Sequence, residues 1–152
     1  WINRAEVTLN GNTVQNNLQN GIWVDAGKNL TITNNIVKNN LTGMNFNSSL
    51  EGETNIVITG NTFIENNKHG ISIGGSAGLL DDKFTITGNT FENNAVSQFS
   101  DRRYSSENDT TVTPGKEAIV SDNTFIPTEH YWEWDATDAR WLLKPGTSSN
   151  EG

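Results

Sequence analysis

The stretch Ile58–Asn67, ITGNTFIENN, decides the fold, because it returns four more times in recognisable form. Aligned on one asparagine, the copies read LNGNTVQNN, ITNNIVKNN, ITGNTFIENN, ITGNTFENN and VSDNTFIPT, with key residues Asn12, Asn35, Asn61, Asn89 and Asn123. Successive keys stand 23, 26, 28 and 34 residues apart. Self-similarity at roughly 20 to 50 residues marks a solenoid, since one unit cannot bury its apolar face alone and must stack on its neighbours.

The units share an inner pattern. Five and three residues before each key Asn stand Val7 and Leu9, Leu30 and Ile32, Ile56 and Ile58, Phe84 and Ile86, Ala118 and Val120. Period two is the mark of a strand with one face buried. Two residues after each key come Val14, Val37, Phe63, Phe91 and Phe125, a further inward position. A second alternating run follows a glycine in Gly21-Ile22-Trp23-Val24, Gly43-Met44-Asn45-Phe46 and Gly70-Ile71-Ser72-Ile73. Each unit therefore holds two or three short strands and several corners, and is one turn of a coil. The key asparagines are expected at corners in the left-handed backbone region, which Asn tolerates. Stacked at one corner, their amides would bond coil to coil as a ladder.

The pattern apolar-x-apolar-x-x-Asn-x-Phe/Val, then Asn-Asn and Gly-Ile, resembles the right-handed parallel β-helix repeat of pectate-lyase-like enzymes, phage tailspikes and alginate-modifying enzymes. The resemblance covers about residues 1–126. It implies an all-β, single-stranded right-handed parallel β-helix of about five coils. For function it implies less, because lyases, hydrolases and inert stalks share the repeat.

Composition fits this architecture and narrows the partners. Asn accounts for 23 of the 152 residues, and there is no Cys, which removes disulfide and thiolate-metal chemistry. A formal charge of −8 argues against nucleic acid and anionic membrane surfaces. It also disfavours a strongly anionic polysaccharide, unless basic residues cluster or calcium mediates. No stretch is apolar and long enough for membrane insertion.

In chain order, Trp1-Ile2 followed by Val7 repeats the relation of Trp23-Val24 to Leu30, so the chain is expected to be a piece of a longer β-helix or to stack on something at its N-terminal face. Trp23 and Asp25 point outward in the first coil. Trp23 either packs on Trp1 or forms a platform for a sugar ring. His69, near Glu65 and Lys68, stands before Gly70, where a solvated corner is expected and acid–base work on a sugar is the alternative. Asp81 and Asp82 offer hard oxygen ligands for calcium, the one cofactor considered. Residues 95–116 read as a long loop carrying Asp101, Arg102, Arg103 and Tyr104, a cluster similar in kind to those that bind and cleave glycan chains in β-helix enzymes.

After Phe125 the pattern stops at Pro127. Residues 127–146 form an aromatic segment expected to cover the last coil with Trp132, Trp134 and Trp141 or to make a homo-oligomer contact. A short helix over Ala136–Leu143, capped by Asp135 or Thr137, is expected within it. Residues 147–152 read as a flexible tail. Two functions follow. One is an extracellular or virion-surface module for polysaccharide recognition, part of a lyase or hydrolase where cleavage is involved. The other is a structural stalk, adhesin or filament subunit, built from trimers or end-to-end stacks.

Overall fold

A computed structural model describes residues 1–3, 5–49, 55–74, 83–103, 118–126, 130–137 and 140–145. Asp81, Asp82 and Tyr104 lie outside the described residues. The first coil contains β1 (Thr8–Asn10), β2 (Thr13–Gln15) and β3 (Asn20–Gly27), and the second β4 (Leu30–Thr33), β5 (Ile36–Lys38) and β6 (Thr42–Ser49). The third contains β7 (Asn55–Thr59), β8 (Thr62–Ile64) and β9 (His69–Ile73). The fourth contains β10 (Lys83–Thr87), β11 (Thr90–Glu92) and β12 (Ser97–Asp101). The fifth contributes β13 (Ile119–Ser121) and β14 (Thr124–Ile126), and a hairpin of β15 (His130–Asp135) and β16 (Arg140–Pro145) follows.

Equivalent strands stack into three sheets. Sheet one is β1-β4-β7-β10-β13, and sheet two is β2-β5-β8-β11-β14, both parallel throughout. In sheet three, β3, β6, β9 and β12 are parallel, and β16 then β15 continue the edge antiparallel. The register follows the sequence repeat: Leu9, Ile32, Ile58, Ile86 and Val120 form one inward column, and Val14, Val37, Phe63, Phe91 and Phe125 another. Leu30, Ile32, Val37, Ile58, Phe63, Ile86 and Phe91 are completely buried. The phenylalanines of the second column stack, with ring centroids 5.1 Å (Phe63–Phe91) and 5.3 Å (Phe91–Phe125) apart.

The corners differ from expectation by one residue. The left-handed backbone belongs to the residue before each key Asn: Gly11, Asn34, Gly60, Gly88 and Asp122, with φ between 54° and 70°. Five residues further on, Asn16, Asn39, Glu65 and Asn93 do the same before Asn17, Asn40, Asn66 and Asn94. The division of labour has a reason. The left-handed residue turns the chain, and the next one is thereby aimed into the interior, where its amide bonds along the stack.

Two asparagine ladders result. In the first, the backbone N–H and Nδ2 of each Asn donate to Oδ1 of the next coil's Asn, from Asn12 through Asn35, Asn61 and Asn89 to Asn123, all at 2.9–3.0 Å. The second runs Asn17, Asn40, Asn66, Asn94 in the same way at 2.8–3.2 Å. Each buried amide also donates to main-chain carbonyls: Asn61 Nδ2 bonds Ile32 O at 2.8 Å and Thr59 O at 3.1 Å. The ladders thus satisfy corner groups that a solenoid would otherwise bury unpaired.

The second ladder ends at a substitution. Gly21, Gly43 and Gly70 occupy one place in sheet three, where a Cβ at Gly43 would meet Gly70 O at 2.5 Å and Asn66 Nδ2 at 3.0 Å. In the fourth coil that place holds Gln98, and its Oε1 accepts from Asn94 Nδ2 at 2.6 Å. Gln98 therefore supplies, from within its own coil, the acceptor that a fifth Asn would have supplied.

Two further expectations need correction. Residues 97–101 are not loop but the regular strand β12, because Ser97-Gln98-Phe99 repeats the register of His69-Gly70-Ile71. No helix occurs among the described residues, and Arg140–Pro145 is a strand. Asp135 does bond the N–H of Thr137, at 3.0 Å, but as the turn of a hairpin. The exposed edge of β12 offers a full set of ladder bonds, which outweighs the weak helical preference of a short segment. The segment also extends sheet three, and Val120, at an inward position of coil five, is 36 % exposed. The side chains of Trp132 and Trp141 lie outside the described part of the hairpin.

Candidate binding face

Sheet three separates into two halves on its outer side. Over coils three and four the outward Ser72 and Ser100 are buried. Over coils one and two the outward Trp23 and Asn47 are exposed, and Asp25 and Asn45 are half-buried. Trp23 and Asn45 are register partners, so an indole and an amide sit on neighbouring strands, about 4.8 Å apart. Ile2 bridges Val24, which brings Trp1 beside Trp23 at the same edge. The expectation that the two tryptophans pack together is not met: Trp1 is 84 % exposed, and no ring contact joins them. Trp23 sits at an outward position of β3, whose side chains stand upright from the sheet and leave the ring to solvent, whereas Trp1 precedes the bridge at Ile2 and lies beside the hollow at the end of the first coil.

The acid of this face sits on an irregularity. The pairing of β3 with β6 shifts register between Val24 and Asp25 and again between Asp25 and Gly27, and Ala26 takes φ +75°. A Cβ-bearing residue in that region costs about 1–2 kcal/mol, and bulges of this kind re-aim side chains. Here the shift sets Asp25 beside Asn47, whose Nδ2 donates to Asp25 Oδ1 at 3.3 Å. The outcome is a flat patch with aromatic surface, amide donors and a carboxylate acceptor.

The other sequence candidates do not join it. His69 is not at a solvated corner but 4 % exposed in β9, facing Ser97 of the next coil with Nδ1 2.7 Å from Ser97 Oγ. The register decides this, because His69 has the inward parity of Ile71 and Ile73. Asp101 likewise takes the inward column of Val24, Phe46 and Ile73. Its carboxylate accepts from Arg103, with Nη2–Oδ2 at 2.8 Å and Nε–Oδ1 at 3.0 Å. The Arg103 side chain is completely buried and its guanidinium lies 4.7 Å from the centroid of Phe84. A charged pair in an apolar column is tolerable because each partner is bonded to the other and the cation rests on a ring face. Asp101 and Arg103 are thus interior groups, while Arg102 is half-buried and donates its N–H to Ile73 O at 3.0 Å.

The signal for this was in the sequence. Aligning Asn94 on Asn66 puts Asp101 at the inward position of Ile73, which a reading of 95–116 as loop conceals. The strain at Ala26 and the bulge beside Asp25 had no sequence signal. Among the described residues no three His, Asp or Glu come together as a metal site.

No curated protein and no solved structure matches the chain. A family model described as right handed beta helix region matches residues 1–125, most of the chain, and with the stacked parallel sheets this identifies the protein as a member of the right-handed β-helix family.

Proposed function

We propose that the protein is a β-helix module for polysaccharide recognition at a cell or virion surface, with the outer face of sheet three over coils one and two as its contact surface. One observation carries the proposal: exposed Trp23 shares that face with Asp25, Asn45 and Asn47, and exposed Trp1 lies at its N-terminal edge. Sugar rings present C–H faces that pack on indole and hydroxyls that pair with amides and carboxylates. The net charge of −8 favours a neutral glycan over a polyuronate. Asp101 and Arg103 bond each other in the interior, so recognition without cleavage is the activity proposed.

The test is retention of the chain on immobilised neutral glycans, beginning with an array, for the wild type and for Trp23→Ala with Asn45→Ala. Binding should fall at least about tenfold, since one aromatic platform and one amide contribute roughly 1–2 kcal/mol together. Undiminished retention of the double variant, with its melting temperature unchanged, would remove this face from consideration.

A further inference from the structure

The outer face of sheet one is built largely from threonine. Its inward column runs from Leu9 to Val120, so the residues on either side of that column point outward. One outward column reads Thr8, Thr31, Val57, Thr85 and Ile119. The other reads Asn10, Thr33, Thr59, Thr87 and Ser121. Six of these ten residues are threonine and none is charged, although the chain carries 10 Lys and Arg and 18 Asp and Glu. Sheet two differs: its outward Thr62 and Thr90 stand beside a column that holds Lys38 and Glu92. Strand preference accounts for outward threonine on both sheets, but not for the clearance of charge from one of them.

The array is also regular. The five strands of sheet one pair residue for residue with no shift of register, unlike β3 and β6, and the first asparagine ladder ties successive coils at the corner that follows. Threonines therefore recur about 4.8 Å apart along the solenoid and about 6.6 Å apart along each strand. Both spacings lie close to the repeats of water oxygens along the a and c axes of hexagonal ice. Branching at Cβ restricts each side chain at χ1, so methyl and hydroxyl keep fixed places in the grid. Thr33 Oγ1 donates to Asn10 Oδ1 at 3.1 Å, while the hydroxyls of Thr31, Thr59, Thr85 and Thr87 bond no group among the described residues.

We propose that the outer face of sheet one binds the surface of ice. A hydrogen bond to a water molecule of the crystal gains little over one to bulk water, so such binding depends on many contacts made at once on a rigid grid. Threonine suits this. Its hydroxyls hold a first layer of water at the lattice spacing, and the methyls between them carry no competing polar group; Val57 keeps that shape without the hydroxyl. A charged side chain would instead gather a hydration shell of its own and break the layer. Charge is held to the rims: Glu6 and Lys83 stand two residues before the first column, and Asp122 follows the second at a corner. This face is separate from the outer face of sheet three, and neither reading rests on the other.

The experiment measures thermal hysteresis and crystal shape on single ice crystals in solutions of the chain. Alongside the wild type are Thr59→Lys and Thr87→Lys, both in the second column, and Thr62→Lys on sheet two. The wild type should hold a crystal without growth below its melting point, over a gap that widens with concentration, and should give it facets. Each sheet-one variant should lose the gap, because a lysine in the middle of the grid lifts its neighbours off the lattice, and Thr62→Lys should keep it. Melting temperatures of the four proteins should agree, since the substituted side chains stand outside the core. Round crystals with no gap in the wild type, or a gap that survives both sheet-one variants, would overturn the proposal. An equal loss in Thr62→Lys would do the same. Retention of the wild type on crystalline cellulose, with no effect on ice, would make the face a carbohydrate surface and would also overturn it.

Discussion

Replacing Asn61 by Ala tests whether the ladders hold the coils together or merely decorate their corners. The side chain makes five hydrogen bonds: Nδ2 donates to Ile32 O, Thr59 O and Asn89 Oδ1, and Oδ1 accepts from the N–H and Nδ2 of Asn35. Several partners retain other bonds. Asn35 Nδ2 keeps Leu9 O and Thr33 O, Thr59 O keeps the N–H of Asn34, and Asn89 Oδ1 keeps the N–H of residue 61 itself. The main-chain N–H of Asn35 has no second acceptor, and Asn35 is 1 % exposed. One buried orphaned donor costs about 1–3 kcal/mol, and the remaining lost bonds bring the total to about 3–5 kcal/mol. Asn12→Ala removes two bonds at an exposed position, to Asn35 Oδ1 and Asn10 O, and should cost about 1 kcal/mol or less. In thermal unfolding, Asn61→Ala should melt roughly 10 °C below the wild type and Asn12→Ala a few degrees below. A solenoid need not unfold in one step, so hydrogen exchange at residues 30–35 should accompany the melt and report the local loss. If the two variants differ by less than about 1 kcal/mol, the ladder is not a principal source of stability and the reasoning fails.

Two more outcomes follow from particular side chains. Arg103→Ala strands the buried carboxylate of Asp101 and should destabilise by about 3–5 kcal/mol in urea unfolding, whereas Asp101→Leu combined with Arg103→Met, which completes the apolar column of Val24, Phe46 and Ile73, should come within about 1 kcal/mol of the wild type. Glu65 is the one left-handed corner residue of its row that is not Asn, and it is exposed, so Glu65→Asn should stabilise by about 1 kcal/mol in the same assay.

The fold was legible because every level of the sequence agrees on it. The period between key asparagines and the inward columns from Leu9 to Val120 and from Val14 to Phe125 reappear as the register of sheets one and two. Sheet three was read less well, and the reason is physical. Its strands are interrupted by variable stretches, and at its C-terminal end the pattern no longer encodes one coil stacked on another. There Gln98 replaces glycine, Asp101 replaces an aliphatic residue, and β16 runs against the prevailing direction. Local propensity pointed to a helix near Ala136. The unpaired edge of β12 is a tertiary feature that no short window of sequence displays. Of the candidate site, Trp23 and Asp25 were visible as outward residues, but the burial of His69, Asp101 and Arg103 depends on stacking with neighbouring coils.

Coils two and three present the same donors downward and the same acceptors upward at both ladder positions, with aliphatic or aromatic residues in matching columns. A duplicate inserted between them would meet no unfamiliar neighbour on either side. Length in this architecture is therefore a quantity that duplication or deletion of whole turns can change, in steps of about 4.8 Å, while both ends keep their chemistry. At the C-terminal side, Gln98 closes the second ladder at coil four while the first runs on to Asn123, and an antiparallel hairpin occupies the edge of sheet three.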